Sequence, residues 1–308
     1  MKTLSYLKYG ILAIALFAIV ACEKERIVEQ EEDTEFTSLE DFYNENQPEE
    51  QSFIIDSTGN DSVVGKEGTH IWGIPNTIFM YKNTHQDITY PYVLKLIEAY
   101  SIKNMIFSKL PTVAQDSMIN SDGELKVTAF KNNEELMIKE NLFYQMMAPN
   151  ANPDNNKDVY YGFTNGSTTD WNKNILQTDY IFTQDNTNIT TIQPGYLLAI
   201  SKLGWLNIAK PINPAQKTDI SFTAAGVNTN LLDVFVILPN QHSFKKASNM
   251  VASNMPIGEQ VKVFSMGKDT SGKMHYFCQS YTISAGLTVA ITMQEATKAE
   301  VLTVMDTL

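Results

Sequence analysis

Residues 68–79 read GTHIWGIPNTIF, a histidine, a tryptophan, two glycines and a proline crowded into one short stretch. Two readings compete. As a site, His70 would serve as a base or a metal ligand. As a strand, His70 and Trp72 share one face and Ile71 and Gly73 the other, because side chains alternate along extended chain. The chain holds 4 histidines, His70, His85, His242 and His275, and no other His, Cys or Asp sits near His70 at ligand spacing. The strand reading is therefore preferred: Gly68 turns the chain in, Pro75 leads it out, and Trp72 closes the edge of a core. The rival keeps Trp72 as a stacking platform with Trp171 or the Tyr160–Tyr161 pair. Aromatic faces suit the apolar face of a pyranose.

Outward from this stretch, short β-type runs dominate: 92–100, 126–130, 135–138, 143–148 and 159–164. KNNEE at 131–135 and TNGS at 164–167 read as hairpin turns. The run YVLKLIEAYSIKNMIF, 92–107, is ambiguous in period. Pro91 and its β-branched and aromatic content favour a strand. From about Asp179 a second block of strands begins, including YLLAISKLGWLNIAKPI (196–212), the apolar run NLLDVFVILP (230–239) and KMHYFCQSYTI (273–283). At the end, Thr297 and Glu300 have capping-box spacing. Val301, Val304, Met305 and Leu308 make one helical face. The expected fold is all-β: two β-sandwich domains, over 51–178 and 179–308, the second closing on a short helix.

Four segments, GTHIWGIPNTIF, VLKLIEAYSIKNMIFSKLPTV, GELKVTAFKNNEELMI and VYYGFTNGSTTDW, together resemble a pattern found in Bacteroidota cell-envelope lipoproteins with a ZU5-like β-sandwich module. The likeness covers Gly65 to Trp171. It departs at Asn104, where the pattern often has Asp, and at Trp72–Gly73, where Ile or Val is usual. The resemblance implies a scaffold without a universal active site, so it brings no catalytic residue. The second block is similar to carboxypeptidase-regulatory and transthyretin-like sandwiches. Some ZU5 modules self-cleave at His-Phe-Ser. Here the order is His242-Ser243-Phe244 in the second block, and it reads as a turn.

The N-terminus carries its own signal. Lys2 and Lys8 precede the apolar run Gly10–Val20, too short for an ordinary span and suited to a signal peptide, residues 1–21. IVAC resembles the bacterial lipobox. The resemblance implies cleavage before Cys22 and lipid on its sulfur, with anchoring by two or more acyl chains. The expected location is the cell envelope, the outer membrane ahead of the inner, with the leaflet open. Residues 22–50 then hold 12 acidic residues against Lys24 and Arg26. Such a stretch reads as a disordered acidic tether.

Composition narrows the function. Arg26 is the only arginine and the formal net charge is -12. Arginine is the usual bidentate grip on phosphate, so nucleic-acid binding is not expected. The sequence contains no nucleophile elbow, zinc-protease or Walker motif. Asp154 and Asp158 could at most contribute to a weak oxygen site for a cation. Cys278 reads as a core thiol. No cofactor or metal is expected. The reading is a lipid-anchored, non-catalytic binding or structural module with a protein or glycan partner. Its rivals are a glycan-capture lipoprotein and a hydrolase with paired carboxylates.

Overall fold

The computed structural model describes residues 38–58, 62–165, 168–173, 180–183, 195–225, 228–269 and 272–308. The expected signal peptide, Cys22 and the expected tether as far as residue 37 lie outside the described residues. The first helix is α1 (Leu39–Glu45). Strands β1 (Gln51–Ile55), β2 (Ser62–Val64), β3 (His70–Trp72), β4 (Phe79–Tyr81) and β5 (Tyr92–Ala99) lead to α2 (Ile102–Phe107). There follow β6 (Val113–Ala114), β7 (Ser117–Lys131), β8 (Glu134–Ile138), β9 (Tyr144–Pro149) and β10 (Asp158–Asn165). Next come β11 (Thr168–Lys173), β12 (Tyr180–Thr183), β13 (Gly195–Ile200) and β14 (Gly204–Pro211). The second half holds β15 (Lys217–Ala224), β16 (Leu232–Leu238), β17 (Ser243–Lys246), β18 (Val251–Pro256) and β19 (Gln260–Lys268). It ends with β20 (Met274–Thr282), β21 (Thr288–Ile291), β22 (Gln294–Glu295) and α3 (Lys298–Met305).

The fold is all-β with two sandwiches. In the first, the sheet β1-β5-β7-β14-β10-β11 faces β12-β13-β9-β3-β2. Leu94, Leu96, Leu125 and Val127 from one sheet meet Ile71, Met146 and Leu198 from the other in its core. Each such side chain contributes roughly 1.5–3 kcal/mol when fully buried. In the second, β18-β15-β21 faces β17-β16-β19-β20-β22. The boundary falls later than the expected 178/179. β14 pairs with both β7 and β10, and β13 pairs with β9, so the first sandwich runs to Pro211.

The apolar run in β16 has a specific cause. Val234, Val236 and Leu238 point into the second core. Phe235 and Ile237 point the other way, into a separate cluster with α1, α2 and α3. A strand covered on both faces loses the alternation that a half-exposed one shows.

Two further differences concern helices. The segment 92–107 is a strand only as far as Ala99. Ser101 then caps α2 by accepting the amide of Asn104, and Ile102, Met105, Ile106 and Phe107 are buried. The stretch expected to read as tether as far as residue 50 holds a helix from Leu39: Ser38 caps α1, whose Phe42 and Tyr43 are buried. Of the five acids in 38–50, four find lysines: Glu40 with Lys109, Glu45 with Lys298, Glu49 with Lys66 and Glu50 with Lys95, while Asp41 accepts the Ser38 hydroxyl. The Tyr43 hydroxyl donates to Asp233 at 2.5 Å. The C-terminal helix forms as expected, with both halves of the Thr297–Glu300 capping box made and Val301 and Met305 buried. No helix among the described residues is long and apolar enough to cross a membrane.

Candidate functional site

The opening stretch is the strand β3 between β2 and β9. Ile71 is fully buried in the core. His70 and Trp72 are partly exposed on the outer face, their ring centroids 4.9 Å apart. Core closure at this point belongs to Ile71, not to Trp72. Among the described residues no group of His, Cys, Asp or Glu is arranged to hold a metal ion.

The glycine and threonine before β3 have a structural partner in Glu98. Its carboxylate is buried at the end of β5 and accepts the amides of Glu67 at 3.0 Å and Thr69 at 2.9 Å. Gln51 donates to it at 2.8 Å. A Cβ on Gly65 would stand 2.5 Å from Glu98 Oε2, so only glycine fits there. The Thr69 hydroxyl meets the Tyr100 hydroxyl at 2.8 Å. These residues therefore shape the turn that leads into β3.

The aromatic residues lie elsewhere. Trp171 is on β11, in the sheet opposite that of Trp72, and it belongs to a small cluster with Tyr160 that is separate from the main core. A platform joining Trp72 to Trp171 or to the Tyr160–Tyr161 pair is not formed. Trp171, Tyr160 and Tyr161 instead line a cleft of about 720 Å3 with Phe163, Gln115, Asn172, Lys202 and Asn213. That volume is in the range of small-ligand sites, ~300–1,000 Å3.

Each wall has a local origin. Gln115 and Asp116 have φ of 48 and 66, the left-handed pair of a tight hairpin turn between β6 and β7. The Gln115 amide donates to Asp170 at 3.0 Å and its side chain to Asn172 at 3.1 Å, which fixes one rim. Trp171 is fully buried, and its indole N–H donates to the Pro111 carbonyl at 2.9 Å. It is a floor, not an open stacking face. Tyr160 is also buried, and burial pushes its phenol pKa up, with Asp158 adding to the effect. Lys202 Nζ sits 4.9 Å from the Tyr161 ring centre, a cation–π contact. The aromatic ring open to solvent is Phe163, 51% exposed.

Sequence reasoning chose Tyr160, Tyr161 and Trp171 but missed Phe163, Gln115 and Lys202. The odd-numbered alternation Tyr161–Phe163 along β10 was the available signal for Phe163. Gln115 and Lys202 arrive from distant loops and had none.

The remaining candidates are occupied. Asp154 accepts Lys210 at 2.5 Å and Asn156, and these hydrogen bonds pull its pKa down to about 2. Asp158 pairs with Lys173, so the two acids do not share a cation site. The half-buried Cys278 thiol is shifted up by burial, the opposite of activation. His242 follows a turn at Pro239–Gln241, and Ser243 is tied to Thr112 at 2.7 Å. Compared with protein-family models and with curated proteins, the chain matches none.

Proposed function

We propose that this protein is a non-catalytic binding module of the cell envelope, anchored by lipid on Cys22, that holds a glycan in the cleft between β10, β11 and the β6–β7 turn. The observation that carries the reading is the composition of that cleft. It joins an exposed ring, Phe163, to side-chain amides of Gln115, Asn172 and Asn213 and to the cation of Lys202. An apolar ring covers a pyranose face while the amides meet its hydroxyls. The lining residues include no Asp or Glu, whereas carboxylate-based glycoside hydrolysis needs two flanking the bond.

The test is retention of the mature chain on immobilised envelope glycans. Phe163→Ala should abolish retention and leave the urea midpoint unchanged, since the ring is half exposed. Equal retention by wild type and variant would remove the cleft from the reading. Turnover of a glycoside that disappears when an acidic pair is mutated would favour the hydrolase instead. Separately, Cys22→Ser should move the protein from the membrane to the soluble fraction. Continued incorporation of an alkynyl fatty acid by that variant would refute the anchor.

A further inference from the structure

A second constellation lies where β7 meets the start of β10 in the first sandwich. Opposite β14, the strand β7 has a bulge: Ser121 pairs with Ala209 and Glu124 with Asn207, leaving Asp122 and Gly123 out of register. A bulge re-aims side chains. Here Asp122 meets Lys157, the residue just before β10, whose Nζ lies 2.9 Å from Asp122 Oδ1. The Lys157 side chain is 2% exposed. The same Nζ is 2.9 Å from the Asn120 backbone carbonyl and in contact with Asn120 Oδ1. Asn120 Nδ2 points away and donates to Gln241 Oε1 at 2.8 Å, so the amide is held with its carbonyl toward the lysine. Asp122 Oδ2 accepts the Tyr196 hydroxyl, which in turn accepts the Asp154 amide at 2.7 Å.

We infer that Lys157 Nζ and Asn120 Cγ become joined in an isopeptide bond that the folded protein makes by itself. An amine, an amide carbonyl and a carboxylate are held together in a site from which water is largely excluded. Asp122 takes one proton from the Lys157 ammonium. The free amine adds to Asn120 Cγ, forming the new C–N bond. The tetrahedral centre collapses with cleavage of the Cγ–Nδ2 bond. Proton transfer through Asp122 from the attacking to the leaving nitrogen completes ammonia, which departs as ammonium once it takes the remaining proton. The products are a secondary amide and the Asp122 carboxylate, and no oxidant or cofactor enters. Burial depresses the lysine pKa, which favours the amine, while Asp122 opposes that shift. Fixed contact supplies the effective concentration that a lysine and an asparagine lack in water.

The bond would staple the long central strand β7 to the connection between β9 and β10, closing the chain from Asn120 to Lys157. A cross-link of this kind restricts the unfolded chain. It would also keep β7, β8 and β9 linked under pulling or after a cut between them.

Peptide mapping of the full purified chain decides the matter. The expected result is a branched peptide containing both Asn120 and Lys157, lighter than its two parts by one ammonia, with no tryptic cleavage after Lys157. Lys157→Arg should yield the unbranched peptides at full mass. Asn120→Asp should restore the branch with loss of water in place of ammonia. Wild-type peptides at full mass, with free Lys157, would overturn the inference and leave a buried ion pair. Loss of ammonia with Lys157 still free would mean a succinimide at Asn120 and would also overturn it. A branch that joins Lys157 to Asp122 with loss of water would overturn the assignment of Asn120.

Discussion

Two buried carboxyls show how one residue type can be placed for opposite ends. Glu98 is surrounded by donors, so removing it strands the Thr69 amide inside the protein. An unsatisfied buried donor costs about 1–3 kcal/mol, and Glu98 has three donors. Glu98→Ala should lower stability by at least about 2 kcal/mol, read as a lower urea midpoint. Glu124 is the reverse case. It is fully buried, Oε1 accepts from Asn207 at 3.0 Å, and Oε2 finds no partner among the described residues. Burial raises its pKa well above the usual carboxyl value, with the Asn207 bond acting against the shift. The unfolded chain then releases this proton near pH ~4.3 while the folded chain retains it. The contribution of Glu124 to stability is fullest below that pH and falls as pH rises, by at most about 1.4 kcal/mol per unit. Glu124→Gln cannot ionise. It should flatten the pH dependence of the urea midpoint and raise stability at pH 8 relative to wild type. An unchanged pH profile would show that Glu124 titrates normally.

Among the elements, the two terminal helices illustrate separate sources of helical stability. The helix α3 begins with a reciprocal cap. Thr297→Ala should cost ~1 kcal/mol, the usual worth of such a cap, and thermal melting would register the loss. The helix α1 is too short to persist on its own. Tertiary contact holds it: Phe42 is fully buried and its ring packs edge-on to Phe107, centroids 5.6 Å apart. Phe42→Ala should cost roughly 3–5 kcal/mol, as deletion of a buried aromatic ring does. It should also expose residues 38–45 to protease. The surrounding lysine–glutamate pairs are surface pairs, worth little each, so Lys109→Ala should change stability far less than Phe42→Ala.

At the scale of the described body, the sandwiches share more than a linker. The described body is one compact unit. Thr112 donates its amide to the Phe244 carbonyl at 3.1 Å, and Phe244 returns its amide to the Thr112 hydroxyl at 2.7 Å. Around this seam, α1, α2 and α3 bury one apolar face of the second sandwich against Ala99 and the α2 residues of the first half. A fragment of residues 51–178 lacks β13 and β14, the latter standing between β7 and β10. It should fail to give a dispersed amide spectrum, whereas residues 38–308 should give one and unfold in a single transition. A folded 51–178 fragment would restore the earlier boundary.

The sequence by itself determined what depends on neighbours along the chain. The alternation at His70-Ile71-Trp72, the Thr297–Glu300 cap and the β-rich character are local patterns, and local physics sets them. The tertiary structure alone decided what depends on distant partners. An acidic stretch reads as tether until Phe42 finds Phe107 and its glutamates find lysines. IKNMIF reads as strand until Ser101 caps it and the interface takes its apolar side. Trp72 and Trp171 look like partners in sequence, but they lie in opposite sheets of the sandwich. The cleft around Phe163 and the contact of Lys157 with Asn120 arise only where loops and a bulge are brought together. Sheet pairing is long-range, and no periodicity within a segment specifies which strand will lie beside it.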